Sequence, residues 1–80
     1  MKIELKLFAS LGRYMPQKKD GKSSEMMEIH EGTRVRDIID RLGIPENAVK
    51  ILFLNGIHAK EEDRLKDGDR LAIFPPIAGG

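Results

Sequence analysis

The group best placed to do chemistry in this sequence is a carboxylate, that of Gly80, the residue with which the sequence ends. It closes a short segment made of Pro75, Pro76, Ile77, Ala78, Gly79 and Gly80. The two prolines stiffen the exit from the strand-like run before them, since each fixes φ and neither can donate to a sheet. Six extended residues reach about 20 Å. A thin arm of this kind suggests that the carboxylate is the working group; the alternative is a frayed terminus of small residues.

Other kinds of catalytic or metal site have little support in the sequence. It contains no cysteine, which removes disulfides, thiolate metal sites and cysteine nucleophiles. Its two histidines, His30 and His58, lie far apart, and a metal site built on them would need carboxylates from elsewhere, so we expect none. We find no nucleophile–base pair, no phosphate-binding loop and no paired carboxylates in a credible pocket. The sequence therefore does not indicate an enzyme.

Length and composition indicate one globular domain. The chain has 80 residues, of which 40% are hydrophobic and 34% charged. Its net charge of +1 argues against a nucleic-acid-binding protein, which usually has a strong basic excess. No stretch is apolar enough for a membrane span, and Glu4 and Lys6 interrupt the N-terminal run where a signal peptide would need an apolar core. We expect a cytoplasmic protein with no membrane partner.

The first half of the chain predicts a hairpin followed by a helix. Residues Lys2 to Phe8 alternate between apolar and polar, and Glu25 to His30 form a second strand beyond a lysine-rich loop. A helix follows, with Thr33 as its predicted N-cap and Gly43 at its C-terminal end. Its apolar stripe is formed by Val35, Ile38, Ile39 and Leu42. On its solvent-exposed face we predict the ion pairs Arg36–Asp40 and Asp37–Arg41.

The second half predicts three more strands. The apolar run Val49 to Leu54 is joined to a short return strand, Ile57 to Lys60, by Asn55-Gly56, the residues that a type I′ hairpin turn requires. Leu65 is predicted to enter the core from a loop. The last strand is Arg70 to Phe74, and it follows the turn Asp67-Gly68-Asp69.

This order of elements predicts an α+β fold of the β-grasp, or ubiquitin-like, type. We expect a mixed sheet of about five strands covered by one main helix, with the first and last strands parallel and adjacent. Residues 1–80 would form a single domain, and residues 75–80 a flexible C-terminal tail.

The stretch from Leu65 to Gly80 resembles the C-terminus of the ubiquitin-like sulfur-carrier proteins, and is most similar to the small subunit of molybdopterin synthase. The specific part is the Asp67-Gly68-Asp69 turn, the Phe74-Pro75-Pro76 exit and the terminal Gly79-Gly80 at fixed spacing. Element order and length agree over the whole chain. The sulfur carriers of thiamine thiazole synthesis share the fold and the glycines, but they are usually shorter and lack the Phe-Pro-Pro run.

The resemblance implies a carrier subunit with no cofactor of its own, whose catalytic residues lie in a partner. An E1-like activating enzyme would use ATP and magnesium to adenylate the Gly80 carboxylate, and a sulfur donor protein would convert it to a thiocarboxylate. The tail, now carrying the thiocarboxylate, would then enter the large catalytic subunit of molybdopterin synthase. Gly79 and Gly80 have no Cβ, which suits a tail that must thread narrow channels in two partners.

Partners are expected to dock beside the tail. In the last strand Leu71 and Ile73 would face the helix, so Phe74 would face away and meet Phe8 on the outer face of the sheet. The family uses apolar residues at these two positions to bind partners. His58 stands where a further apolar member is expected, and Phe53 joins the patch if Leu52 and Leu54 point inward. The alternative is that the phenylalanines close a small core under the loops.

Two other functions share most of these features. A ubiquitin-like protein modifier would have the same fold and the same first activation step, but would join Gly80 to a lysine of a target. A passive β-grasp binding module would have an inert tail. A carrier for another thiolation pathway is also compatible with the sequence.

Overall fold

The computed structural model describes residues 1–14, 24–49 and 51–76. Its elements, in chain order, are β1 (Lys2–Leu7), a 3₁₀ helix (Ala9–Tyr14), β2 (Ser24–Glu28), α1 (Val35–Leu42), a second 3₁₀ helix (Glu46–Ala48), β3 (Ile51–Leu54), β4 (Ile57–His58) and β5 (Arg70–Phe74). The five strands form one sheet in the order β2-β1-β5-β3-β4. This confirms the predicted β-grasp fold. The lysine-rich loop between β1 and β2 lies outside the described residues.

The sheet is mixed, as predicted. β1 pairs antiparallel with β2 and parallel with β5, and β5 pairs antiparallel with β3. Four strands are shorter than the sequence predicted, and the first of them, β1, ends at Leu7 rather than Phe8. β2 ends at Glu28 rather than His30, although the Ile29 N–H still donates to the Met1 carbonyl at 2.7 Å. β3 begins at Ile51 and β4 ends at His58. The 70–74 boundaries of β5 are those predicted.

The core lies between the sheet and α1. Alternate residues of β1 and β5 face inward and are fully buried, because the side chains of a strand point to opposite faces in turn. Leu65 is 3% exposed, so its predicted entry into the core from a loop is confirmed. The buried apolar side chains form one cluster: Ile3, Leu5, Leu7, Leu11, Met27, Ile29, Val35, Ile38, Ile39, Ile44, Leu52, Leu65, Leu71 and Ile73.

The N-terminus of α1 differs from the prediction. Thr33 is not the N-cap: its hydroxyl donates to the His30 carbonyl at 2.7 Å, and Arg34 occupies the cap position. The Arg34 N–H donates to the Asp37 carboxylate at 2.9 Å, which is half of a capping box. Thr33 was predicted because its residue type favours the cap; the tight turn before the helix uses its hydroxyl instead.

Backbone groups of a neighbouring loop complete the start of this helix. The N–H of Val35 donates to the Asp63 carbonyl at 3.0 Å, and that of Arg36 donates to the Glu61 carbonyl at 2.9 Å. The first N–H groups of a helix lack partners within it. Long-range contacts supply them here, which a reading of local sequence cannot detect. At the other end Gly43 adopts φ 76°, as predicted for a helix-ending glycine.

The ion pairs predicted along α1, Arg36–Asp40 and Asp37–Arg41, are wrong. Arg36 Nε instead lies 3.8 Å from Glu61 Oε1. Arg41 donates to a backbone carbonyl of β2 at 3.2 Å. Surface pairs one turn apart are worth only a few tenths of a kcal/mol, so contacts with neighbouring elements displace them easily.

Candidate functional site

The end of β5 and the end of β1 meet at the same edge of the sheet, because the two strands are parallel. Phe8 follows β1 directly and Phe74 is the last residue of β5. The Phe8 N–H donates to the Ile73 carbonyl at 3.1 Å, which holds the two chain segments together. The rings are stacked, with centroids 4.1 Å apart and planes 7° from parallel. The structure thus brings together the two phenylalanines that the strand alternation placed on the outer face.

Two further rings continue from this stack. Phe53 meets Phe74 edge-on at 5.7 Å, and His58 meets Phe53 edge-on at 4.9 Å. We call Phe8, Phe74, Phe53 and His58 the aromatic row. Stacked and edge-on pairs are the arrangements that ring quadrupoles favour, so each contact helps to fix the orientation of the next ring. Leu52 is buried, which is the inward orientation that the prediction required for Phe53 to join the docking patch.

The aromatic row is separate from the core. Its three phenylalanines are half-buried and His58 is exposed, and none of the four belongs to the core cluster or packs against it. The alternative that the phenylalanines close a small core is therefore not what the structure shows. They form an apolar strip on the outer face of the sheet, beside the residue from which the tail leaves.

A strained residue directs Phe8 toward the row. Ala9 has φ 51°, in the left-handed region that a residue with a Cβ enters at a cost of roughly 1–2 kcal/mol. This conformation turns the chain out of β1 into the 3₁₀ helix. The Leu11 N–H then donates to the Phe8 carbonyl at 3.0 Å, and the Leu11 side chain is buried. Phe8 is thus held from both sides. Nothing in the sequence around Ala9 signals a positive φ.

The tail begins directly at the aromatic row. Pro75, next to Phe74, is half-buried and Pro76 is exposed. The remaining predicted site residues, Ile77, Ala78, Gly79 and Gly80, lie outside the described residues.

A polar network fixes the start of β5, at the other end of the strand. Asp69 is only 8% exposed, and its carboxylate accepts from the Asn55 side-chain amide at 2.9 Å and from the Lys66 N–H at 2.7 Å. The Asn55 side-chain oxygen accepts from the Arg70 N–H at 2.9 Å. Two turns are joined in this way. The sequence indicated both turns, from Asn55-Gly56 and Asp67-Gly68-Asp69, but not their contact.

The part of the chain that the structure describes offers neither a metal site nor a membrane-spanning helix. Within residues 1–14, 24–49 and 51–76, no three histidine or acidic side chains lie close enough together to hold a metal ion. Among the same residues, no helix is long and apolar enough to cross a membrane.

Comparison with known proteins identifies the family. The ThiS family matches residues 7–80. The chain belongs to the ThiS family. The resemblance to ubiquitin-like sulfur carriers that the C-terminal residues indicated is thereby confirmed. Small ThiS-like carriers are non-catalytic subunits.

Solved structures agree with the fold over nearly the whole chain. The crystal structure of SAMP1 from Haloferax volcanii has 24% sequence identity and a TM-score of 0.74, with 100% of both chains covered. A putative molybdopterin converting factor, subunit 1, from Pyrococcus furiosus has 28% identity and a TM-score of 0.72, with 95% of this chain and 98% of that chain covered.

A third structure is an assembly. It is a protein–protein complex of subunits 1 and 2 of molybdopterin-converting factor from Helicobacter pylori, with 20% identity, a TM-score of 0.61 and 100% of both chains covered. A protein with this fold therefore associates with a partner subunit. The ThiS-like chain described here has matches named both as a converting factor and, in a second structure of the Haloferax protein, as a small archaeal modifier. The comparisons thus determine the family and the fold, and they leave the pathway open.

Proposed function

We propose that this chain is a sulfur carrier whose Gly80 carboxylate is activated and converted to a thiocarboxylate. Residues 1–80 act as one carrier domain, with residues 75–80 as the tail that partners receive. The observation that carries the proposal is the ThiS family match, which extends to residue 80 and so includes the Gly79-Gly80 pair. The aromatic row at the root of the tail supports it.

The carboxylate needs an activating enzyme for a chemical reason. A terminal carboxylate has a pKa of about 3.3–3.7, so at neutral pH it is ionised and a poor acyl donor. In the proposed reaction a carboxylate oxygen of Gly80 attacks the α-phosphorus of ATP and pyrophosphate leaves. Sulfide then attacks the acyl carbon, a thiocarboxylate forms and AMP leaves with the carboxylate oxygen. An E1-like enzyme in the cytoplasm uses ATP and magnesium for the first step, and a sulfur donor protein supplies the sulfide for the second.

Molybdopterin synthesis is the pathway we propose for the sulfur. Support comes from the Phe74-Pro75-Pro76 exit and from the 28% identity with the putative Pyrococcus converting-factor subunit. The large catalytic subunit would receive the tail and use the sulfur to build the dithiolene of molybdopterin. The second candidate is a protein modifier, which the match to SAMP1 favours. It shares the adenylation step and differs only in the nucleophile, a lysine amine instead of sulfide.

The aromatic row is the proposed docking surface for these partners. Phe8 and Phe74 offer half-buried rings next to the tail root, where an enzyme that receives the tail must also approach. Aromatic side chains are enriched at protein interfaces. His58 adds a polar end to this surface, in contact with Phe53.

Intact-mass measurement tests the proposal. The chain is incubated with the activating enzyme of its host, MgATP and sulfide. The expected result is a mass gain equal to the exchange of one oxygen atom for one sulfur atom, absent from a variant without Gly80. Lysine conjugates of Gly80 in place of this gain would favour the modifier. No change at all, with the enzyme active on another carrier, would refute both and leave the passive module.

A further inference from the structure

One row of four cross-strand positions on the outer face, on β1, β5, β3 and β4, has a hydrogen-bond donor at each end; on β2 the same register continues with Ser24, opposite Lys6. Lys6 on β1 lies opposite Ala72 on β5, Ala72 lies opposite Phe53 on β3, and Phe53 lies opposite His58 on β4. Neighbouring strands are about 4.8 Å apart, so the backbone positions of Lys6 and His58 are separated by roughly 14 Å. Between them lie Ala72 and Phe53, which form the apolar centre of this row.

The two ends are suited to contact with a partner. Lys6 and His58 are both exposed, and the His58 ring is oriented by its edge-on contact with Phe53. Lys6 is a donor only, and an imidazole always has at least one donor nitrogen. The acidic residue nearest in sequence on the same face, Glu4, is already 3.4 Å from Arg70 Nε. In the described part of the chain, therefore, this row combines an apolar centre with a donor at either end and contains no acidic side chain.

We propose that the activating enzyme meets this row with an apolar patch flanked by two carboxylates, one facing Lys6 and the other facing His58. This inference rests on the proposed function, since the row shares Phe53 and His58 with the docking surface proposed above. The argument is complementarity of charge at Lys6, and of hydrogen bonding at His58, where a carboxylate would accept from the donor nitrogen of the ring. Surfaces that associate place opposite charges against each other, and charges at the rim of an interface act mainly on association rate, salt dependence and choice of partner.

Charge reversal at each end tests the inference. Lys6→Glu and His58→Glu are compared with wild type for binding to the host's activating enzyme by isothermal titration calorimetry, at low and high salt. Each should weaken binding by about tenfold or more at low salt, and by less at high salt, because screening reduces interactions between exposed charges. Lys6→Gln and His58→Gln should have smaller effects of the same sign.

Matched controls are available elsewhere on the surface. Lys66→Glu and His30→Glu make the same changes at exposed residues that lie outside the row, and they should bind as wild type does. Thermal melts of all variants check that each is folded.

The outcomes separate the two proposals. Wild type that neither binds the enzyme nor gains sulfur contradicts the proposed function itself. Wild type that binds and gains sulfur, together with undiminished binding by either reversal variant, overturns the two-carboxylate inference and leaves the proposed function intact. An equal loss in the control variants also overturns it, because the effect would then reflect overall charge.

Discussion

Exchanging the two polar side chains that join the turns tests whether their contact holds β5 in place. Asn55 can be oriented only one way, because its oxygen accepts from the Arg70 N–H and its amide nitrogen must therefore face Asp69. Asn55→Asp places one carboxylate oxygen against another at the 2.9 Å contact. Asp69→Asn places one amide nitrogen against another, or against the Lys66 N–H. Each single variant therefore has one mismatched contact that rotation of either side chain cannot relieve.

The expected losses follow from the type of contact. A hydrogen bond to a charged group contributes about 1.5–3 kcal/mol, and an unsatisfied buried group costs about 1–3 kcal/mol. Although Asn55 is exposed, Asp69 is buried, so a mismatched group at residue 69 cannot turn to water instead. We therefore expect each single variant to lose about 2–4 kcal/mol of unfolding free energy. The double variant, Asn55→Asp with Asp69→Asn, restores every donor–acceptor pair with the direction of one bond reversed. It should therefore recover to within about 1 kcal/mol of wild type.

Urea denaturation of the four proteins at neutral pH measures the cycle. The Asn55→Asp variant should also regain stability as the pH falls, because two adjacent carboxylates raise the pKa of the pair in the folded state above its unfolded value. The repulsion is then present above the raised pKa and disappears below it as a proton binds. Losses that simply add in the double variant would refute the reasoning, since they would show that the two side chains do not interact in solution.

Two further predictions concern the residues around the tail root. Ala9→Gly should raise the unfolding free energy by roughly 0.5–1 kcal/mol, because glycine adopts the positive φ at this position without strain. Ser10→Gly, at a residue without a positive φ, should lower the unfolding free energy. Urea denaturation of both variants measures the two changes, and a gain in stability for Ser10→Gly would contradict the assignment of strain to Ala9. Phe8→Ala should weaken binding to the activating enzyme by at least about tenfold while leaving the chain folded, since Phe8 lies outside the core cluster. Unchanged affinity in calorimetry would remove Phe8 from the docking surface.

Much of the fold could be predicted because local chemistry and global topology agree. Asn55-Gly56 forms the hairpin turn with both residues at positive φ, and Gly43 ends the helix in the left-handed conformation. The alternation of β1 and β5 correctly assigns their faces. The contact between Phe8 and Phe74 follows from these faces and from the parallel pairing of the two strands.

The features that the sequence did not reveal depend on partners distant along the chain. The start of α1 is completed by carbonyls of Glu61 and Asp63, so the favourable capping residue Thr33 is not needed as the cap. The burial of Asp69 depends on contact with a turn fourteen residues earlier in the chain. The predicted Asn55-Gly56 turn already implied the register that pairs His58 with Phe53, but the edge-on contact of the two rings is seen only in the structure.

The position of Phe74 at the end of β5 separates the residues that hold the root of the tail from those that the proposed partners would contact. β5 is paired on both sides, with β1 and β3, and its inward residues Leu71 and Ile73 are almost completely buried. Moving the root of the tail would therefore break two ladders and the core together, a cost close to that of global unfolding. The outward residues of the same strand, Arg70, Ala72 and Phe74, are not part of the core cluster. If the outer face is the docking surface, as proposed, substitutions there would alter partner binding while the inner face keeps the tail root fixed.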